Sequence, residues 1–251
     1  MLSYLAIGRF PFLITIATIF VGCYFTGILS SIVSTLAVVF VILLGIFLTL
    51  FISKILSKTI LKGAPSSFIL ELPPYRKPQI GKIIVRSLFD RTLFVLARAI
   101  AVAAPVGVVI WLFANISFGG ISILSHIATF LDPFAKFLGL DGYILAAFIL
   151  GIPANEIVLP IILMCYMSTG SLVDLSDTFA IKEILVSNGW TILTGINVMI
   201  FTLLHFPCST TLITIFKETK SLKWTLLSFA LPTVCGIVIC FITNGIWNVI
   251  F

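Results

Sequence analysis

Gly151-Ile152-Pro153-Ala154-Asn155-Glu156-Ile157-Val158-Leu159-Pro160 places one acidic residue and two prolines inside a long apolar run, Tyr143 to Met167. Of the chain's nine acidic residues, Glu156 alone sits in such a run. A carboxylate at membrane depth costs a few kcal/mol unless it faces a partner, a cavity or a cation, so it marks a functional site. Pro153 and Pro160 each remove a backbone donor and free carbonyls of the preceding turn. A helix broken where the acid sits is the expected result. Such a break beside an intramembrane carboxylate is the pattern in which loose carbonyls and helix ends line an ion site at mid-depth.

The rest of the chain fits that setting. Its 251 residues are 60% hydrophobic and 10% charged, with a mean hydropathy of +1.26, whereas soluble domains average about 25% charged. An integral membrane protein is expected. The first residues do not read as a cleavable signal, because Met1 to Ile7 has no basic region and Arg9 precedes an apolar run too long for one. Cys23, Cys165, Cys208, Cys235 and Cys240 are scattered through apolar segments and suggest no disulfide framework. Runs near the roughly 20 residues a span requires fall at Phe12 to Ser31, Ile32 to Leu56, Thr92 to Ala114, Tyr143 to Met167, Trp190 to Phe216 and Trp224 to Val249. The expected fold is an all-α polytopic bundle of about six transmembrane segments, some broken or re-entrant. Ile121 to Leu140, interrupted by Asp132-Pro133 and Gly139, reads as an interfacial or re-entrant helix.

Charge gives the orientation. Lys54, Lys58, Lys62, Arg76, Lys77, Lys82, Arg86 and Arg91 crowd one loop against Glu71 and Asp90, and Lys217, Lys220 and Lys223 mark a second. Both loops are expected on the cytoplasmic side, and the net charge of +6 is mainly this signal. Two loops on one side require an even number of crossings between them, yet three long runs intervene. The broken run Tyr143 to Met167 is the best candidate for a re-entrant hairpin, with a crossing by Ile121 to Leu140 as the alternative. Glu71-Leu72-Pro73-Pro74-Tyr75-Arg76-Lys77-Pro78 reads as a rigid strap at the membrane surface rather than a ligand for a cytosolic partner.

A second constellation is His205-Phe206-Pro207-Cys208-Ser209-Thr210-Thr211, in the middle of Trp190 to Phe216. Pro207 interrupts the ladder, and a thiol and three hydroxyls surround the break. A borderline metal such as Fe²⁺ accepts sulfur, nitrogen and oxygen, whereas Mg²⁺ or Ca²⁺ takes oxygen. Cys208 and His205 with Glu156 would make a mixed set of that kind, with Asn155 offering its carbonyl and Thr210 its hydroxyl. Against this, proline kinks with Ser or Thr covering freed carbonyls are common in membranes that bind nothing. Met164, Cys165, Cys235 and Cys240 read as packing residues, and Arg98 as a snorkelling one. Phe10-Pro11 and Phe206-Pro207 each lead into a Leu-Ile-Thr-Ile run, a faint echo for which chance is the stronger explanation.

Glu71-Leu-Pro-Pro-Tyr-Arg, the Gly151 to Pro160 string, His205-Phe-Pro-Cys-Ser-Thr-Thr and Lys217-Glu-Thr-Lys-Ser-Leu-Lys-Trp, in this order, closely resemble the C-terminal membrane half of the ferrous iron transport protein B family, FeoB. The resemblance implies Fe²⁺ uptake through a gated permease in the bacterial inner membrane. It sets the family's gate cysteine on Cys208 and its Pro-Ala-Asn-Glu motif on Asn155 and Glu156. Residues 1–56 would then form two transmembrane helices of the family's C-terminal region, 57–91 the cytoplasmic loop, and 92–251 a gate-type transmembrane domain. Ala6-Ile7 stand where the family has Cys-Asn before Gly-Arg-Phe-Pro, so one thiol of the pattern is absent. No Gly-x-x-x-x-Gly-Lys-Ser/Thr loop occurs, so GTP would act only through a separate GTP-binding and first-gate chain. The remaining expectations are Fe²⁺ as cargo with no resident cofactor, lipid and that second chain as partners, self-association left open, and no contact with nucleic acid. An enzyme is not expected, since no catalytic pair accompanies His126 or His205. A gate-type transporter of a nucleoside or other divalent ion, and a truncated scaffold that transports nothing, are the alternatives.

Overall fold

The computed structural model describes residues 10–22, 27–59, 81, 93–170 and 177–250. The proline strap and most of the loop at 57–91 lie outside the described residues, as does the Arg98 side chain. The described residues are almost wholly helical. Long apolar segments can satisfy their backbone groups in lipid only as helices or closed barrels, and these lack the alternation of a barrel strand.

Helix α1, Phe10–Phe20, has 11 residues, and α2, Ile28–Thr59, has 32. The described part of α1 ends at Phe20, short of the Ser31 expected as the end of the first span, and rises about 16 Å. The turn falls earlier than the composition suggested, ending at Gly27 with φ 67°. Ser30 Oγ donates to the Gly22 carbonyl at 2.7 Å, closing a group that the end of α1 leaves open. Along α2, Leu36, Phe40, Leu43 and Phe47 are exposed, a face suited to lipid. Gly45 lets α2 cross tightly over Leu203, whose Cδ2 would stand 2.3 Å from an added Cβ.

Helix α3, Phe94–Asn115, contains Pro105 and ends in a two-stranded hairpin that the sequence reading missed, β1 Ser117–Phe118 paired with β2 Ile121–Ser122. Its turn is Gly119-Gly120, both at positive φ, the dipeptide that tight hairpins favour. Ser122 then caps α4, Ile123–Phe137, accepting from Ser125 N at 3.2 Å. Leu124, Ala128 and Ala135 of α4 are buried, and Phe130, Phe134 and Phe137 are exposed. Asn197 donates to the Leu138 carbonyl at 2.8 Å, and Asn244 donates to Lys136 O and Phe137 O, so the carbonyls at the end of α4 are covered.

The chain then turns by 109° into α5, Gly142–Leu150, and after a break enters α6, Val158–Met167. The bases of α5 and α6 meet. Tyr166 OH donates to Asp141, whose other oxygen caps α5 by accepting from Ile144 N at 2.6 Å. Trp190 Nε1 donates to Tyr166 OH at 2.8 Å, and the Tyr143 and Tyr166 rings lie 5.7 Å apart. Residues 143–167 therefore fold back on themselves, with both ends on one side. Helices of 9 and 10 residues reach about 14–15 Å, half the roughly 30 Å hydrocarbon core. This folded-back shape is the one a re-entrant hairpin would have, the form expected from the charge parity.

Asn115 Nδ2 donates to Gly170 O at 2.7 Å, placing the end of α3 beside the hairpin base. Helix α7, Thr178–Ser187, follows. Helices α8, Ile192–Leu204, and α9, Ser209–Thr219, form one apolar path of 28 residues with a break. Helix α10, Leu222–Ile250, returns along it. At the α8–α10 contact the buried Asn197 accepts from Thr243 at 2.6 Å, and the fully buried Cys240 lies against Asn197 O. Among the described residues, Ile28–Lys58, Ile192–Thr219 and Leu222–Ile250 are long and apolar enough to cross a membrane, and the bent pair α4–α5 is so if taken as one span.

Candidate functional site

The tip of the hairpin, residues 151–157, comes to rest against the break between α8 and α9. Backbone and side-chain contacts join them. Ser209 N, the first amide of α9, donates to the Ile152 carbonyl at 2.9 Å, and Asn155 Oδ1 lies 3.4 Å from His205 Nε2. Four helix ends therefore converge: α5 and α8 bring their C-terminal ends, α6 and α9 their N-terminal ends. Proline explains both breaks. Pro153 cannot extend α5 by hydrogen bonding, and Pro207 forces Phe206 out of helical geometry, which leaves His205 extended as the last cap of α8.

Each expected residue has a distinct place. Glu156 lies in a one-turn 3₁₀ helix, Asn155–Ile157, and is exposed on the described chain. That turn directs neighbouring side chains to different sides, so Asn155 faces His205 while Glu156 faces outward. His205 is 2% exposed; its Nδ1 stands 2.8 Å from Thr202 O and 3.0 Å from Phe201 O. Cys208 precedes α9, and its Sγ lies 3.0 Å from Thr210 Oγ1 and 3.2 Å from Thr211 Oγ1. Among the described residues no three His, Cys, Asp or Glu side chains come together as a metal cage. Glu156, His205 and Cys208 therefore converge as a region rather than as a closed set. The reason is visible in their orientations: the histidine turns onto its own helix and the thiol onto neighbouring hydroxyls.

The family models divide the chain along the same lines. The model for the ferrous iron transport protein B C terminus matches residues 38–90, and the gate model, described as nucleoside recognition, matches residues 96–222, which include both breaks. The chain belongs to the FeoB family. The Fe(2+) transporter FeoB of Staphylococcus aureus (strain COL) is 32% identical over 191 residues, covering 73% of this chain and 27% of the relative. Those of Synechocystis sp. and Leptospira interrogans are 28% and 25% identical over 178 and 215 residues, covering 70% and 76% of this chain. The chain spans between a quarter and a third of the length of these relatives. No solved structure matches it.

In this FeoB-family chain the junction also contains Ser209, one of the hydroxyls expected around the break, and Phe148, which sequence reasoning passed over. Ser209 Oγ is shielded from solvent and has no hydrogen-bond partner among the described residues. An unpaired buried hydroxyl costs on the order of 1–3 kcal/mol, so its position beside the break suits a transient polar ligand. Its sequence signal was its place as the first residue of α9 after Pro207-Cys208. Phe148 was missed because nothing in an apolar run marks it, yet its ring packs 4.9 Å from Phe201 and 5.0 Å from His205. Electrostatically, the N-terminal ends of α6 and α9 attract negative charge. The C-terminal ends of α5 and α8 at the same junction attract positive charge, so the helix ends together favour neither sign, and the charge at the junction is set by Glu156.

Proposed function

We propose that this chain is the C-terminal permease portion of a ferrous iron transporter, and that Fe²⁺ passes where the hairpin tip meets the α8–α9 break. The observation that carries this reading is the Ser209 N to Ile152 O contact of 2.9 Å, which brings the Asn155-Glu156 turn and the Cys208-Thr210 segment together. At half-bilayer depth, a passing ion that has shed water needs replacement ligands. Glu156 supplies charge, Cys208 sulfur, and Asn155 and Thr210 neutral oxygen, a set suited to a borderline divalent metal.

The exposure of Glu156 supports a partner. A carboxylate held half a bilayer deep is not left to lipid, so the outward face of the tip is covered by the remainder of the transporter. We take that remainder to include the GTP-binding and first-gate portion, as a separate chain or another part of a longer one. GTP acts through it, and the assembly resides in the bacterial inner membrane. The description of the gate model as nucleoside recognition favours, as a second reading, a nucleoside as cargo.

Cys208→Ser separates the two. A hydroxyl fits the space of the thiol but is a poorer ligand for Fe²⁺. Uptake of radiolabelled iron by cells producing the intact transporter is expected to fall several-fold at an unchanged membrane level of the protein. Unchanged iron uptake would return Cys208 to packing, and nucleoside uptake insensitive to both Cys208 and Glu156 would favour the second reading.

A further inference from the structure

His205 was expected as a metal ligand, but its surroundings assign it different work. Its ring is enclosed by Phe148, Phe201 and Phe206, with centroids 5.0, 5.9 and 5.0 Å away. Nδ1 faces the carbonyl oxygens of Phe201 and Thr202. Carbonyls only accept, so Nδ1 carries the hydrogen and the ring caps the C-terminal end of α8. In the neutral ring this leaves Nε2 as a bare acceptor. The group it meets, across 3.4 Å, is the Asn155 amide. Amide oxygen and nitrogen are told apart only by their partners. A bare Nε2 bonds the amide with Nδ2–H turned toward the ring, and Oδ1 then points to the opposite side.

We propose that His205 is a positioning residue: through Nε2 it fixes the Asn155 amide so that Oδ1 is presented to the passing cation on the side of Glu156. His205 contributes no ligand atom of its own, because Nδ1 is bound to the end of α8 and Nε2 to the hairpin tip. It ties the two broken elements together and sets which end of the amide an ion meets. The proposal rests on the reading of this junction as the Fe²⁺ path.

Two substitutions separate reach from packing. Asparagine places a donor near Nδ1, so His205→Asn retains the cap on α8 but falls short of Asn155. Glutamine reaches the position of Nε2, so His205→Gln retains the link to the tip. The assay is Fe²⁺ uptake against Fe²⁺ concentration in cells producing the intact transporter, normalised to protein in the membrane. Losing the group that orients a metal ligand costs on the order of 10- to 100-fold in affinity. His205→Asn is expected to raise the half-saturating Fe²⁺ concentration by roughly tenfold, the lower end of that range, while His205→Gln stays near wild type.

The decisive arm is a double variant. Once Asn155→Ala has removed the amide, its orientation no longer matters, so His205→Asn with Asn155→Ala should match Asn155→Ala alone. Losses that multiply in the double variant, or a wild-type uptake curve for His205→Asn, would overturn the proposal. Glu156→Gln run alongside keeps the two ideas apart. Normal uptake by that variant removes the junction as the ion path. Its loss, together with multiplying effects at 155 and 205, leaves the junction standing and returns His205 to capping alone.

Discussion

Gly142→Ala is expected to unseat the hairpin. A Cβ at this position would lie 1.9 Å from the Ala128 carbonyl oxygen and 2.8 Å from its carbon, both backbone atoms that cannot rotate aside. Helix α4 would have to move off α5, a cost of about 3 kcal/mol or more for overpacking of this kind. The base formed by Asp141, Tyr166 and Trp190 would shift with it. Thermal unfolding of the purified transporter should show a lower midpoint and less folded protein. Gly107→Ala and Gly245→Ala, inside α3 and α10 with nothing within 4 Å of the added carbon, serve as controls. Each should hold or slightly raise stability, since alanine favours a helix by about 1 kcal/mol over glycine. Equal behaviour of all three would mean that α4 does not press on α5 as described.

That contact also shows where sequence reading stops. The breaks at 151–157 and 205–208 were legible because proline leaves a local mark: it lacks a donor and excludes helical geometry before it. The hairpin was legible by a different route, through the parity of two lysine-rich loops. The meeting of the breaks was not, because the bond from Ser209 to Ile152 joins positions far apart along the chain through backbone atoms that every residue shares. Helix ends were read less well. The first turn came earlier than expected because Gly27 and the Ser30 to Gly22 bond decide it, and hydropathy runs straight through. The orientation of His205 onto its own helix, and of Glu156 away from it, depends on side-chain placement that spacing alone does not determine.

Glu156→Gln should have the largest functional effect. The change keeps shape and hydrogen-bonding capacity and removes the charge that offsets the cation. Removing one member of a charge pair at low dielectric costs about 3–5 kcal/mol, beyond a hundredfold. Fe²⁺ uptake by cells producing the variant should fall to background while insertion and protein level stay near wild type. Retained uptake would show the charge to be dispensable.

The most direct measurement is made at the neighbouring sulfur. If Fe²⁺ enters the junction between the hairpin tip and the α8–α9 break, it should shield Cys208 from alkylation. The rate at which a small thiol reagent modifies Cys208 would be followed by peptide mass spectrometry on the intact transporter, with and without Fe²⁺ under anaerobic conditions, and with the remaining cysteines as internal references. Fe²⁺ should slow modification of Cys208 in the wild type and leave it unchanged in Glu156→Gln. Equal rates with and without Fe²⁺ in the wild type, at concentrations that support uptake, would contradict placement of the ion path at this junction.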